Sequence, residues 1–232
     1  MLSAESLGVV VRLLAVGDTA FPVGGFSFSD GLESAVACGV VSDAATLGDY
    51  AHTTLRQMAT TDGIAAITAH RAARNGDFEA LQRADRALHN FKTLAEARLK
   101  TLRMGRRLAE LAARIAPSHL TSEWNTLLQH AHTEGTYAVS LAVLCASAGI
   151  AEREMFGVLV FGSLATVLGA ALRLLRVSHF ESQRLMFDLA DSADALYDMA
   201  RVRSLDEMSG FAPEVEILSA LHERGFTRMF MN

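Results

Sequence analysis

The sequence predicts an all-α protein, and three observations carry that prediction. Three prolines occur in 232 residues, so long stretches of the chain lack the residue that breaks helices. Alanine and leucine, which both favour helix, are frequent throughout. Alternation of apolar and polar residues, the pattern of a half-buried strand, is nearly absent. We therefore predict a single helical-bundle domain of about ten helices with a C-terminal tail segment.

Capping and glycine signals divide the first half of the chain. Ser29 or Asp30 can cap a short helix, with Glu33 in the region of a capping box. Ser42 or Asp43 starts the next helix. The predicted helices of this half cover residues 7–16, 30–37, 43–61, 63–74, 78–88 and 91–115.

The later helices are assigned in the same way. Pro117 closes the long helix, in which Glu96 and Lys100 form an i,i+4 pair that fits a solvated face. Ser122 is expected to cap a helix that ends at His132. The remaining predicted helices cover residues 135–148, 152–176 and 181–204.

A boundary is predicted near the end of the chain, where Gly210 and Pro213 interrupt the helical pattern. Neither a repeat nor a low-complexity linker divides the residues before it. We expect residues 1–210 to form the helical core and residues 211–232 to form a distinct C-terminal segment.

Composition excludes several classes of protein. Half of the residues are apolar and a fifth are charged, which is typical of a globular domain with a core. The net charge of −5 does not suggest a nucleic-acid partner. Arg12 is the first basic residue, so the N-terminus lacks the positive region of a secretory signal. Cys38 and Cys145 make no metal motif and no disulfide framework, which favours the reducing cytoplasm.

Two uncharged runs, residues 135–151 and 155–172, raise the possibility of a membrane hairpin. The second run has the minimum length for a membrane span. Both runs are rich in glycine, serine and threonine, whose small size also suits close packing inside a bundle. We expect a buried hairpin of a soluble protein and no membrane association, and we keep the membrane hairpin as the alternative.

The stretch TAFPVGGFSFSDGLE, residues 19–33, interrupts the helices with a proline and three glycines. It is not a phosphate-binding loop, because no Gly-Lys-Ser/Thr follows and no basic residue lies between Arg12 and Arg56. It is not a nucleophile elbow either, because Ser29 stands where the last glycine of Gly-x-Ser-x-Gly belongs and no strand precedes it. A docking surface remains.

No complete metal site can be assembled from the sequence. Glu-x-x-His and His-Glu-x-x-His are both missing. His130 and His132 are two apart, so on a helix they point to different faces. Four carboxylates lie at helical spacing, namely Asp188, Asp191, Asp194 and Asp198. This stripe predicts a solvated helix face. Two functional alternatives are docking to a basic partner and contact with a hard cation. These results favour a scaffold over an enzyme.

Four stretches resemble one known family. LLAVGDTAFPVGGFSFSDGLE, residues 13–33, is similar to the N-terminal signature of the urease accessory protein UreF family, with its Pro-x-Gly-Gly-Phe-Ser and Gly-Leu-Glu. AEARLKTLRMG, residues 95–105, resembles the family's central Arg-rich helix, and residues 169–183 match the position of its late apolar helix. FAPEVEILSALHERGFTRMF, residues 211–230, resembles its C-terminal segment. The resemblance covers essentially the whole chain.

The resemblance implies a cytoplasmic, all-α homodimer without catalysis of its own. Such a protein bridges UreD (also called UreH) and the GTPase UreG, regulates GTP hydrolysis, and takes part in nickel delivery to apo-urease. The C-terminal segment is expected to bind UreD. The glycine-rich loop belongs to the region shared by dimer and GTPase contacts. No cofactor is expected to bind stably, although nickel can pass transiently.

The resemblance also suggests which residues contact partners. The expected partner-binding residues are Pro22, Gly24, Gly25, Phe26, Ser27, Phe28, Ser29, Gly31, Glu33, His222, Glu223, Arg228 and Phe230.

The chain departs from the family pattern at two places. Phe28 stands where many members have Tyr or His, so neither a hydroxyl nor an imidazole is essential there. Arg176-Val177-Ser178-His179 stands where members often read Pro-Leu-Gly-Gln, which puts the usual turn after the late helix in question. The alternative class is a small-molecule-binding helical enzyme, for example with a haem-oxygenase-like bundle, which requires a pocket of convergent polar groups.

Overall fold

The computed structural model describes residues 6–210, 212–223 and 229–230, without the side chains of Phe26, Glu214, His222 and Glu223. No β-strand occurs within these residues, so the all-α prediction is confirmed. The helices are α1 (Leu7–Gly17), α2 (Leu32–Ala37), α3 (Ala44–Met58), α4 (Ile64–Asn75), α5 (Phe78–Phe91), α6 (Ala95–Ile115), α7 (His119–Gln129), α8 (Tyr137–Ser147), α9 (Glu152–Leu174), α10 (His179–Ala190), α11 (Ala193–Ala200) and α12 (Pro213–Glu223).

Helix α8 is the centre of the fold. It is apolar on all sides, and residues 138–146 are all buried. A helix without a polar face must be surrounded by other elements, and α4, α6, α7 and α9 pack around it. Trp124 of α7 is fully buried against α8, where its indole N–H donates to Ser140 Oγ at 3.1 Å.

A buried carboxylate on α5 holds the start of α8. Asp85 is completely buried and accepts five hydrogen bonds of 2.6–2.8 Å. Three come from the backbone N–H groups of residues 134–136, and two come from the hydroxyls of Thr133 and Thr136. A negative charge is favourable at this position, because the N-terminus of a helix carries partial positive charge.

Helix α9 explains the uncharged runs of the sequence. Among the described residues it is the single helix long and apolar enough to cross a membrane, and 56% of its apolar window is buried inside the fold. Helix α8 has 11 residues, which is too short for a span. The burial of both helices is the pattern of a core hairpin.

Several predicted boundaries were wrong. Ser118, and not Ser122, caps α7, with its hydroxyl accepting from Thr121 N at 3.2 Å. The helix predicted over 181–204 is broken at residues 191–192 into α10 and α11. The questioned turn before α10 is well formed, because Ser178 and Glu181 build a capping box.

The C-terminal helix α12 starts at Pro213, which suits the first position of a helix because its missing N–H has no partner there. It packs mainly against α2. Ser209, just before it, exchanges hydrogen bonds with Thr60 in the π-helical segment Ala59–Gly63. The division into a core and a partner-binding segment stays a prediction.

Candidate functional site

The glycine-rich loop begins as a series of tight turns after α1. The Asp18 side chain accepts from Ala20 N at 2.8 Å, and the Phe21 carbonyl accepts from Val23 N at 2.7 Å. Gly24 has a positive φ of 83°, a conformation that glycine adopts without strain, and a 3-10 turn over Gly25–Ser27 follows it. Pro22 and Gly24 are exposed, so the first half of the loop faces solvent.

The second half of the loop is held by side chains from α3 and α6. Phe28 and Ser29 are buried. Lys100 of α6 forms an ion pair with Asp30, and its ammonium lies 5.5 Å from the centre of the Phe28 ring. Tyr50 of α3 donates its hydroxyl to the Asp30 carbonyl at 2.6 Å. Burial, assisted by the Asp30 charge, raises the pKa of the Tyr50 phenol, so the phenol stays a donor.

Gly31 brings the loop against the C-terminal helix. Its φ is 80°, in the left-handed region that favours glycine. A Cβ at this position would lie 2.6 Å from Ser219 Oγ of α12 and 2.8 Å from the Tyr50 hydroxyl. The absence of a side chain therefore permits the close approach of α12.

Glu33 ties the loop to the end of the chain. Its carboxylate accepts from Met229 N at 2.8 Å and from Phe230 N at 3.1 Å. Gly31, and neither Ser29 nor Asp30, is the N-cap of α2, although Ser29 Oγ accepts from Glu33 N at 3.4 Å. Phe230 is buried, and the Arg173 guanidinium lies 4.8 Å from the centre of its ring.

A cavity of about 220 Å³ lies between the loop, the core and α12. Asp30, Lys100 and Thr101 line one part, and Glu216 and Ser219 of α12 line another. This volume is below the range of about 300–1,000 Å³ usual for ligand pockets. A smaller hollow of about 80 Å³ adjoins it under the first half of the loop and shares Met104, Tyr137, Gly162 and Thr166 with it.

Both lysines of the cavity form ion pairs with its aspartates, Lys100 with Asp30 and Lys92 with Asp62, and Glu216 accepts a hydrogen bond from the Gln57 amide at 3.3 Å. Lys92 Nζ lies 2.5 Å from Asp62 Oδ2, to which the Thr61 hydroxyl also donates at 2.9 Å. Burial acts to raise the pKa of Asp62, but the charge and hydrogen bond of Lys92 and the Thr61 hydroxyl outweigh it and hold that pKa below its usual value. In the part of the chain that the structure describes, no three His, Cys, Asp or Glu residues come together to hold a metal ion.

The other candidates from the sequence lie elsewhere. The rings of His130 and His132 are 5.9 Å apart on the exposed end of α7. Most of the carboxylate stripe pairs with arginines, in the pairs Asp188–Arg184 at 3.6 Å, Asp194–Arg153 at 2.6 Å and Asp198–Arg201 at 2.7 Å. Arg228 lies outside the described residues, as do the side chains of Phe26, His222 and Glu223.

The structure adds residues that the sequence analysis did not single out for the site. Tyr50, Lys100, Arg173 and Ser219 position the loop and the tail. The sequence offered one signal for Lys100, which lies in the family-like stretch 95–105. Because Lys100 follows Glu96 by four residues, we expected a solvated ion pair within the helix and not a contact with Asp30. Whether any of the predicted site residues contacts a partner stays a prediction.

Comparison with known proteins agrees with the resemblance of the loop and tail. A family model described as UreF matches residues 41–190. The chain is 44% identical over 230 residues to "Urease accessory protein UreF 2" of Brucella canis, covering 99% of this chain and 95% of that protein. It is 39% identical over 223 residues to "Urease accessory protein UreF" of Yersinia enterocolitica, covering 96% of this chain and 98% of that protein. The chain therefore belongs to the UreF family of urease accessory proteins.

Proposed function

We propose that this protein is a non-catalytic scaffold for urease maturation in the cytoplasm. It bridges UreD (UreH) and the GTPase UreG, regulates GTP hydrolysis, and helps to deliver nickel to apo-urease. The observation that carries the proposal is the joining of loop and tail: Glu33 binds the tail backbone, and Gly31 admits α12. One rigid surface can then present both segments to partners. In this role nickel passes the protein transiently and does not bind to it at a permanent site.

The outer face of α12 supports the UreD contact. Its inner side is anchored on the core, where Val215 and Leu218 are buried, whereas Ile217 is 61% exposed and Leu221 is also exposed. Met229, in the segment that Glu33 holds, is exposed too. Apolar side chains that face solvent on an anchored helix are typical of a protein-binding surface. UreG is assigned to the exposed first half of the loop.

Replacing Ile217 and Leu221 with aspartate is expected to weaken UreD binding by at least about a hundredfold, because two apolar contacts become buried charges. Co-purification with UreD and UreG, followed by titration with UreD, measures this. Leu99→Asp changes a leucine that is equally exposed on α6 and serves as the control. Unchanged binding in the double variant, with the helical circular dichroism retained, would refute the assignment.

Deletion of residues 214–232 should leave a folded helical core without UreD binding.

The homodimer is assigned to α1 and the adjacent surface of α9. Phe161 of α9 is partly exposed beside the C-terminal end of α1. Gly157 is exposed, and a Cβ there would meet nothing within 4 Å, so α9 leaves open space for a close approach. The exposed apolar side chains of α1 lie at helical spacing and are Leu7, Val10, Val11 and Leu14. An uncharged surface of this kind suits packing against a second copy.

Val11→Asp combined with Leu14→Asp is expected to convert the dimer into a monomer. Leu14 is 68% exposed in the single subunit, and an aspartate there would be buried between the two subunits of the proposed dimer. Sedimentation velocity measures the mass. Ile115→Asp, on α6, is a control for an exposed apolar residue outside this surface. A double variant that sediments as the parent dimer would exclude α1 from the interface.

A further inference from the structure

Helix α10 presents two phenylalanines to solvent. Phe180 is 90% exposed and Phe187 is 75% exposed. Seven residues separate them, which is about two turns, so both lie on one face. Two large aromatic side chains exposed on one face form an apolar patch rimmed by charged residues, and such a patch marks an interaction surface. The opposite side of α10 packs against α9 and α3.

Two opposite charges lie between and beside these rings. Arg184 and Asp188 are both largely exposed, and Arg184 Nε is 3.6 Å from Asp188 Oδ2. The basic residue precedes the acidic one, which is the less favourable order for a pair within one helix. The contact is also longer than the surface pair of Glu110 and Arg114 at 2.6 Å. Little stability within the chain is therefore lost if these charges exchange partners.

A second copy of the same helix complements this arrangement. When two α10 helices pack antiparallel about a two-fold axis opposite residue 186, residue 184 faces residue 188 of the partner subunit, and each residue 187 lies beside its equivalent. Each Arg184 then meets Asp188 of the partner subunit, and the two Phe187 rings meet near the axis. A two-fold contact of this kind requires a surface that is complementary to itself.

We propose that α10 is a self-association surface, in which two copies pair through reciprocal Arg184–Asp188 ion pairs around a Phe187 contact. Phe180 covers the junction of α10 and α11 on the other copy. The surface is distinct from α1, so it joins two dimers into a larger assembly. The inference does not depend on the role of the protein in urease maturation.

Mixing two charge-reversal variants tests the proposal. Full-length Arg184→Asp and Asp188→Arg are each made in the Val11→Asp/Leu14→Asp background, so that contacts through α1 do not mask the result. Each variant alone places like charges opposite each other twice, and its self-association should be at least about tenfold weaker than that of the background protein. In an equimolar mixture every reversed charge faces an opposite one, and association should return.

Sedimentation velocity over a concentration series measures all three samples and the background protein. Glu110→Arg and Arg114→Asp reverse a similar exposed pair on α6, and neither should change association, alone or mixed. Phe187→Glu should abolish association, with helicity retained by circular dichroism. The proposal is overturned if the background protein does not associate, if the single variants associate as it does, or if mixing fails to restore association.

Discussion

Asp85→Ala is expected to lower the free energy of unfolding by about 4 kcal/mol. The change leaves three backbone N–H groups and two hydroxyls without their acceptor in a fully buried place. It also removes the negative charge at the N-terminus of α8, the helix around which the others pack. A loss of this size is a large fraction of the stability of a typical domain, about 5–15 kcal/mol. Urea denaturation followed by circular dichroism measures it.

Asp77→Ala is the matched control, because it removes an aspartate from the same helix. Asp77 caps α5 at the surface, where its carboxylate accepts from Ala80 N at 2.9 Å. Loss of an exposed cap costs about 1 kcal/mol. If Asp85→Ala proves no more destabilising than Asp77→Ala, the hydrogen bonds of Asp85 do not contribute as proposed.

Gly31→Ala is expected to displace α12 and to reduce UreD binding, whereas Gly24→Ala should do neither. Both glycines have a φ near 80°, so each substitution carries a similar backbone strain of about 1 kcal/mol. A Cβ on Gly24 meets nothing within 4 Å, but a Cβ on Gly31 would overlap Ser219 Oγ and the Tyr50 hydroxyl. Overpacking of this kind adds about 1–3 kcal/mol. Hydrogen exchange of residues 213–223 measures the displacement.

Ser219→Ala provides a rescue. It removes the oxygen that would lie 2.6 Å from the new Cβ, so the double variant should recover part of the protection of α12 from exchange. Equal exchange in Gly31→Ala and Gly24→Ala would show that the close approach does not hold the helix. If exchange rises in Gly31→Ala but UreD still binds, the packing argument stands and the proposed UreD role of the tail fails.

The helices could be predicted because their signals are local. Asp43 caps α3 as one of the two residues expected there, with Thr46 completing the box. The break before α11 was missed because residues 191–192 contain neither glycine nor proline, although Ser192 is the N-cap of α11 and serine is a residue that starts helices. Ser118 was missed because Ser122 offers the same chemistry one turn later.

The contacts of the candidate site could not be predicted, because they join distant parts of the chain. Lys100 reaches Asp30 from 70 residues away, and Glu33 reaches Phe230 from 197 residues away. Asp30, in a loop that contains no basic residue of its own, is thereby paired with a lysine from α6. Local patterns could identify the loop as a docking surface but could not find what holds it.

The Glu33 contact recognises main-chain N–H groups and not the side chains of residues 229 and 230. The two hydrogen bonds therefore do not depend on which side chains stand at residues 229 and 230. The exposed side chain of Met229 can thus differ without loss of this backbone anchor, whereas the side chain of Phe230 is held a second time by its burial and by Arg173.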